Sequence, residues 1–203
     1  MSNKLLLRPL NLFTQLNKFS ASAEKKKNYS KVSRLKPELE EGFNNQINTE
    51  FFASFTYLAM ASYFGRQNVM LPGCSKFFMN QALEEREHAQ KLIDYLNQRG
   101  STVFHQSISA PQNQCWESPL NAFKEALELE KFVTQKLFEL HKMSEECGDL
   151  CACNLLENDY LDNQVEEFDT LSRYIAQLEQ IGPNGLGIYI FDRHLLKDVK
   201  KQT

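Results

Sequence analysis

In the stretch EEREHAQKL, residues 84–92, a carboxylate and an imidazole, Glu85 and His88, stand three positions apart. On a helix such residues share a face, so the pair could close on one cation. Stepping by seven keeps to nearly the same helix face. It gives Phe78, Glu85 and Leu92 here, Phe43, Glu50 and Tyr57 upstream with Ile47 beside them, and Phe123, Glu130 and Leu137 downstream. A fourth segment sets Leu161, Gln164, Phe168 and Leu171 on one stripe. Each stripe carries one polar residue near its middle. Four helices would therefore bring Glu50, Glu85, Glu130 and Gln164 into one layer, with His88 one turn from Glu85.

Burying three carboxylates together is costly, because desolvation and mutual repulsion act in the same direction. No Lys or Arg shares these stripes, which leaves a cation as the simplest counter-charge. Three Glu, one His and one Gln supply hard oxygen donors and a borderline nitrogen, a set that suits iron or manganese and tolerates zinc. Glu85 can bridge two ions while His88 takes one of them. Two structural readings compete. Helices phased the other way would put these residues in solvent, but that must hold for four segments at once. A protonated, hydrogen-bonded polar core is the other, and it is rare for three Glu.

The elements that must position this layer are helical. Helix-period patterning begins near Pro37 and runs to about Phe64, where GRQNVMLPG interrupts it. Pro72 suits the first turn of a second helix, and Gly100 is its stop. Residues 101–117 are helix-poor. Ser118 and Pro119 open a third helix as cap and first position, which closes near Gly148. A fourth helix runs to about Ile181, GPNG breaks it, and a short fifth continues to about Leu196. The short turns make the first pair and the third–fourth pair antiparallel. A link of about 18 residues can extend roughly 60 Å, and a helix of about 28 residues is about 42 Å long. The link can therefore cross the whole bundle. The fold class expected is all-α: a ferritin-like four-helix bundle with one long crossover and a short fifth C-terminal helix.

Charge divides the chain. Residues 1–36 hold nine basic residues against Glu24 alone, a net +8, and the remaining fourteen basic and twenty-five acidic residues carry −11, together the −3 of the chain. An acidic body attracts cations and repels nucleic acid, and no apolar run reaches the roughly 18 residues of a membrane span. Neither nucleic acid nor membrane is expected as a partner. Cys74, Cys115, Cys147, Cys151 and Cys153 form no CxxC pair and read as free thiols. The first 23 residues have no acid, and Leu5, Leu12, Leu16 and Phe19 fall on one helical face. Residues 1–31 thus read as a basic targeting extension for the mitochondrial matrix, the alternative being a disordered tail on a cytoplasmic protein. Residues 32–203 form the di-iron domain.

INTEFFASFTYL (47–58), EEREHAQKL, NQRG (97–100), WESPLNAF (116–123), LELEKFV (127–133) and DYLDNQV (159–165) together resemble heavy-chain ferritin of the animal type, from about residue 32 onward. If the leader directs import, the resemblance is to mitochondrial ferritin. The resemblance implies a ferroxidase that oxidises Fe(II) with dioxygen and stores the product as mineral inside a hollow twenty-four-subunit cage. Such a cage is homopolymeric or mixed with other ferritin chains. By the same resemblance Glu50, Glu85 and His88 bind the first iron, and Glu85, Glu130 and Gln164 the second. Tyr57 lies beside the centre, and Glu84 helps pass iron inward. Leu186, Ile188, Ile190, Phe191 and Leu195 make the last segment too apolar to stand alone. It is expected to pack against other subunits rather than cap its own bundle.

The chain also departs from the family pattern. Asn154 stands where an acidic three-fold channel usually has Asp, beside Glu157 and His141, which should weaken cation attraction there. Cys151 and Cys153 fall near the same channel, as soft-metal ligands or as unremarkable thiols. Glu84 and Glu87 match acidic residues of a mineral-nucleating cluster whose third member here is Gln90. Glu167 stands where the family often has a small residue, either as an extra carboxylate for the second iron or facing solvent. A light-chain type of cage subunit would lack the ligands. A di-iron oxygenase would carry a second Glu-x-x-His on the fourth helix, where this chain reads QVEE (164–167). A haem-binding bacterioferritin is disfavoured by the resemblance.

Overall fold

The structure, a computed structural model, describes residues 34–182 and 185–199. The basic leader and the boundary near residue 32 lie outside the described residues. Helix α1 spans Pro37–Phe64, with Pro37 in its first turn and Glu38 and Glu40 against the positive end of its dipole. Helix α2 spans Pro72–Gln98. Gly100, at φ 65°, takes the left-handed position that ends it, and Ser101 N–H returns to Leu96 O at 3.0 Å. Helix α3 spans Pro119–Cys147, capped by the Ser118 side chain on Asn121 N–H and ended by left-handed Gly148.

Contacts at the helix ends fix the directions. Ser75 Oγ, at the start of α2, donates to Ala61 O near the end of α1 at 2.8 Å, so α1 and α2 are antiparallel. The crossover leaves the bundle end where Phe104 N–H donates to Asn44 Oδ1. It arrives at the other, where Glu117 N–H donates to Tyr63 Oη. It therefore traverses the length of α1. Trp116 seals its arrival, buried edge-on against Tyr63.

The fourth helix is not one continuous α-helix, as expected, but three pieces. Helix α4 spans Leu150–Leu156, a wide π turn spans Glu157–Leu161, and α5 spans Asp162–Ile181. A π turn inserts a residue without ending the helix and recurs at functional sites. Here it turns Tyr160 into the core. Asp149 caps α4 through Ala152 N–H and also holds Arg99 at 2.6 Å, tying the end of α2 to the start of α4. Lys124 of α3 meets Glu179 of α5 at 2.7 Å, so this pair too is antiparallel.

Helix α6, Leu186–Val199, packs against α2. Its inner face, Ile188, Phe191 and Leu195, is buried on the chain's own bundle. That corrects the expectation that the segment faces only other subunits. Leu186, Tyr189 and Ile190 point outward and are exposed. The reason is the helical period: the apolar run Ile188–Phe191 spans more than one face, so one side packs inward and the other is left to cover. No strand occurs among the described residues, and the expected all-α bundle with one long crossover and a short fifth helix is the observed fold.

Candidate metal centre

The four stripes do meet in one layer. Phe43, Ile47, Tyr57, Phe78, Leu92, Phe123 and Leu137 are all buried, and between them so are Glu50, Glu85, His88, Glu130 and Gln164. Ligand atoms of Glu50, Glu85 and His88 lie within 4.8 Å of one another, and so do those of Glu85, Glu130 and Glu167. Two groups of three therefore share Glu85. A third group, Glu84, His88 and Glu167, reaches from the layer toward solvent, where Glu84 is exposed.

Each side chain is oriented by a named contact. Gln46, one turn before Glu50, donates to Glu50 Oε1 at 2.8 Å. His88 Nδ1 sits 3.2 Å from Glu85 Oε2. The Tyr57 hydroxyl donates to Glu130 Oε1. Gln164 Nε2 donates to Glu130 Oε2 at 3.1 Å and to Glu167 Oε2 at 2.8 Å. The Thr134 hydroxyl contacts both Glu130 O, at 2.8 Å, and Gln164 Oε1. Tyr160 Oη donates to His88 O at 2.9 Å.

The electrostatics are those of a site short of positive charge. Burial, then the Glu85 carboxylate, raises the Glu50 carboxyl well above its usual range. Burial, then Glu130, does the same to Glu85. Glu167 is pushed up to about 11, by burial and then by Glu130 and Glu85. The Tyr57 hydroxyl is raised by burial and then by Glu130. Glu50 Oε2, Glu85 Oε1 and Glu167 Oε1 are buried without a hydrogen-bond donor. Buried acceptors without a donor are costly, and both a proton and a cation would relieve them. The donor set fits iron: oxygen-rich, one imidazole, two trios sharing a carboxylate.

A cavity of about 320 Å³ opens against this layer, lined by Tyr57, Gln81, Glu84, Glu130, Glu166 and Glu167 among others. Its acidic wall favours cations, and it reaches Glu130 and Glu167 of the second trio.

Glu157 is not part of the layer. It is exposed on the fourth helix and pairs with His141 Nε2 at 2.6 Å, with Glu145 3.8 Å from the other ring nitrogen. Asn154 and Cys151 are exposed beside it and Cys153 is buried. Glu87 and Gln90 lie on the outer part of α2, where Glu87 is exposed and Gln90 binds Asp94. The open alternative for Glu167 is resolved: its carboxylate points into the layer. Sequence reasoning missed Gln46, Thr134 and Tyr160. The first two stand one turn from Glu50 and Glu130, and that spacing was their available signal.

A family profile described as Ferritin-like domain matches residues 40–181. The chain is 46% identical over 159 residues to soma ferritin of Lymnaea stagnalis, covering 78% of this chain and 91% of that one. It is likewise 46% identical over 159 residues, with the same coverage, to ferritin-1 heavy chain of Schistosoma mansoni.

Proposed function

The chain belongs to the ferritin family, and on that premise we propose that its buried layer is a ferroxidase centre in an iron-storage cage. Iron storage is the function the family carries. The observation that supports oxidation at this site is the pair of ligand trios sharing Glu85, since two Fe(II) ions held side by side can each give one electron to the same dioxygen.

The residues divide the work. Glu50, Glu85 and His88 hold one Fe(II), and Glu85, Glu130 and Glu167 the other, with Gln164 at its edge. Gln46 and Tyr57 fix the rotamers of Glu50 and Glu130 through the hydrogen bonds above. Glu84 stands at the mouth of the acidic cavity and hands the substrate ion to His88 and Glu167. Phe78, Leu92, Phe123 and Leu137, buried around the layer, lower the local dielectric, which strengthens the pull of each carboxylate on the ion.

Stopped-flow oxidation of two Fe(II) per assembled subunit, with dioxygen uptake recorded, tests the reading. Fast uptake that the double substitution Glu85→Ala, His88→Ala abolishes is the expected result. Uptake no faster than that control would sink it.

Assembly into a twenty-four-subunit cage is supported by the exposed apolar side of α6, and sedimentation of the purified protein tests it. Import into the mitochondrial matrix is supported by the acid-free, leucine-rich first 23 residues. Mass spectrometry of the native protein should find a start between Ser20 and Lys31, and an intact Met1 would count against import.

A further inference from the structure

Thr134 occupies a position that the ferroxidase reading does not use. It follows Glu130 by one turn on α3, is buried, and its hydroxyl lies against two carbonyl oxygens: Glu130 O and Gln164 Oε1. A hydroxyl has one proton and can donate to only one of them at a time, while its lone pairs can accept from an N–H. On its other side the Gln164 amide points its nitrogen at the carboxylates of Glu130 and Glu167. That arrangement suits a layer without a cation, where carboxylate oxygens need donors. It does not suit one with a cation, because an amide N–H offers no lone pair to a metal.

Turning the amide over by half a revolution exchanges the two roles. Gln164 Oε1 then joins Glu130 and Glu167 around the second position, three oxygens that only a cation or proton can hold together. Gln164 Nε2 comes to Thr134 Oγ, which accepts it and gives its own proton to Glu130 O. The hydroxyl gives the amide a partner in both orientations, donating to Oε1 in one and accepting from Nε2 in the other. We propose that Thr134 is a positioning residue: the pivot on which the Gln164 amide turns when the second cation enters. Gln164 is a donor to the unloaded layer and an oxygen ligand in the loaded one. This rests on the two-ion reading of the layer.

The test is an anaerobic titration of the assembled, full-length protein with Co(II), read by calorimetry and by the visible absorption of bound Co(II). The native protein should take two ions per subunit in two steps. Thr134→Val keeps the shape of the side chain but removes both the donor to Gln164 Oε1 in the unloaded layer and the acceptor for Nε2 in the loaded one. A bare buried N–H is the costlier of the two losses. The substitution should weaken the second step about tenfold, the scale of one buried N–H left without a partner, and leave the first unchanged. Thr134→Ser should restore the second step. In a Gln164→Glu background, where both ends of the side chain are oxygen, Thr134→Val should change the second step by less than about twofold. A general loosening of the core would not discriminate between these backgrounds. The pivot is overturned if Thr134→Val binds the second ion as tightly as the native protein, if Thr134→Ser fails to restore it, or if the loss is the same in the Gln164→Glu background as in the native one. Native protein that binds fewer than two ions would instead overturn the two-ion reading, and the pivot with it, before any variant is compared.

Discussion

The Tyr160 hydroxyl donates to the main-chain carbonyl of His88 across 2.9 Å of buried space. Tyr160 owes that position to the π turn, which carries its ring inward until it lies 5.5 Å from the imidazole. The contact joins the fourth helix to the turn of α2 that bears both Glu85 and His88. Tyr160→Phe keeps the ring and removes the bond. It should cost about 0.5–1.5 kcal/mol, because the carbonyl still has its own helix partner. Thermal unfolding measures that cost. First-ion binding should weaken several-fold while the second step moves less. Equal effects on both steps would mean the bond holds the bundle, not the ligand.

Glu85 illustrates a conflict between stability and function. In the cation-free protein its Oε1 has no donor, and Glu50 Oε2 beside it has none either. Glu85→Gln supplies an N–H and removes a buried ionisable group. The cation-free protein should become more stable by about 1–3 kcal/mol, seen as a higher unfolding midpoint in the presence of a chelator. The same variant should lose tight binding of both ions, because both trios contain Glu85. A lower midpoint than native would show that the carboxylate is already well satisfied without a cation.

The pH dependence follows from the sign of the shifts. Glu50, Glu85 and Glu167 are all held above their usual range, first by burial, then by a neighbouring carboxylate: Glu85 for Glu50, and Glu130 for both Glu85 and Glu167. Below about pH 4 they are protonated in folded and unfolded chains alike. As pH rises, the unfolded chain releases those protons first, so folding of the cation-free protein weakens progressively until the folded groups titrate. Cations need the ionised oxygens. Binding near pH 7 should therefore release protons, and affinity should increase with pH. Calorimetric titration with Zn(II) in two buffers of different ionisation enthalpy counts the protons. A count of zero would show that the layer is ionised before the cation arrives.

The stripe residues were legible because burial and helical period act on the same positions. A Glu seven residues from one Phe or Leu and seven from another must share their face. Gln46 and Thr134 were harder to read, since a polar residue one turn from a ligand is as often solvated as bonded to it. Glu167 sat at the edge of its stripe, where solvent and layer were equally open, and only the packed neighbours decide. The π turn has no residue-type signature: nothing in ENDYL separates a π turn from an α-helical one. For α6, apolarity was visible but the division of its two faces was not. That division depends on where the bundle end presents a surface to pack on.

The seating of α6 depends on a single missing side chain. Gly73, in the first turn of α2, lies so close to α6 that a Cβ there would stand 2.0 Å from Asp192 O. This is main chain, so no rotamer change relieves it. The same approach lets Asp192 Oδ1 accept from Cys74 N–H at 2.8 Å, placing a buried carboxylate at the positive end of the α2 dipole. Gly73→Ala must push α6 off its seat and break that bond. Removing a helix-capping acceptor costs about 1 kcal/mol, and displacement of Ile188, Phe191 and Leu195 adds the exposure of their apolar surface. The bundle itself, packed around Phe78 and Phe123, should remain helical. If α6 also joins subunits, its outer face, Leu186, Tyr189 and Ile190, is displaced with it. The expected outcome is a helical subunit by circular dichroism with a lower unfolding midpoint and far fewer complete cages by sedimentation velocity. A Gly73→Ala protein that assembles as fully as the native one would show that α6 is not needed in this seat for subunits to meet.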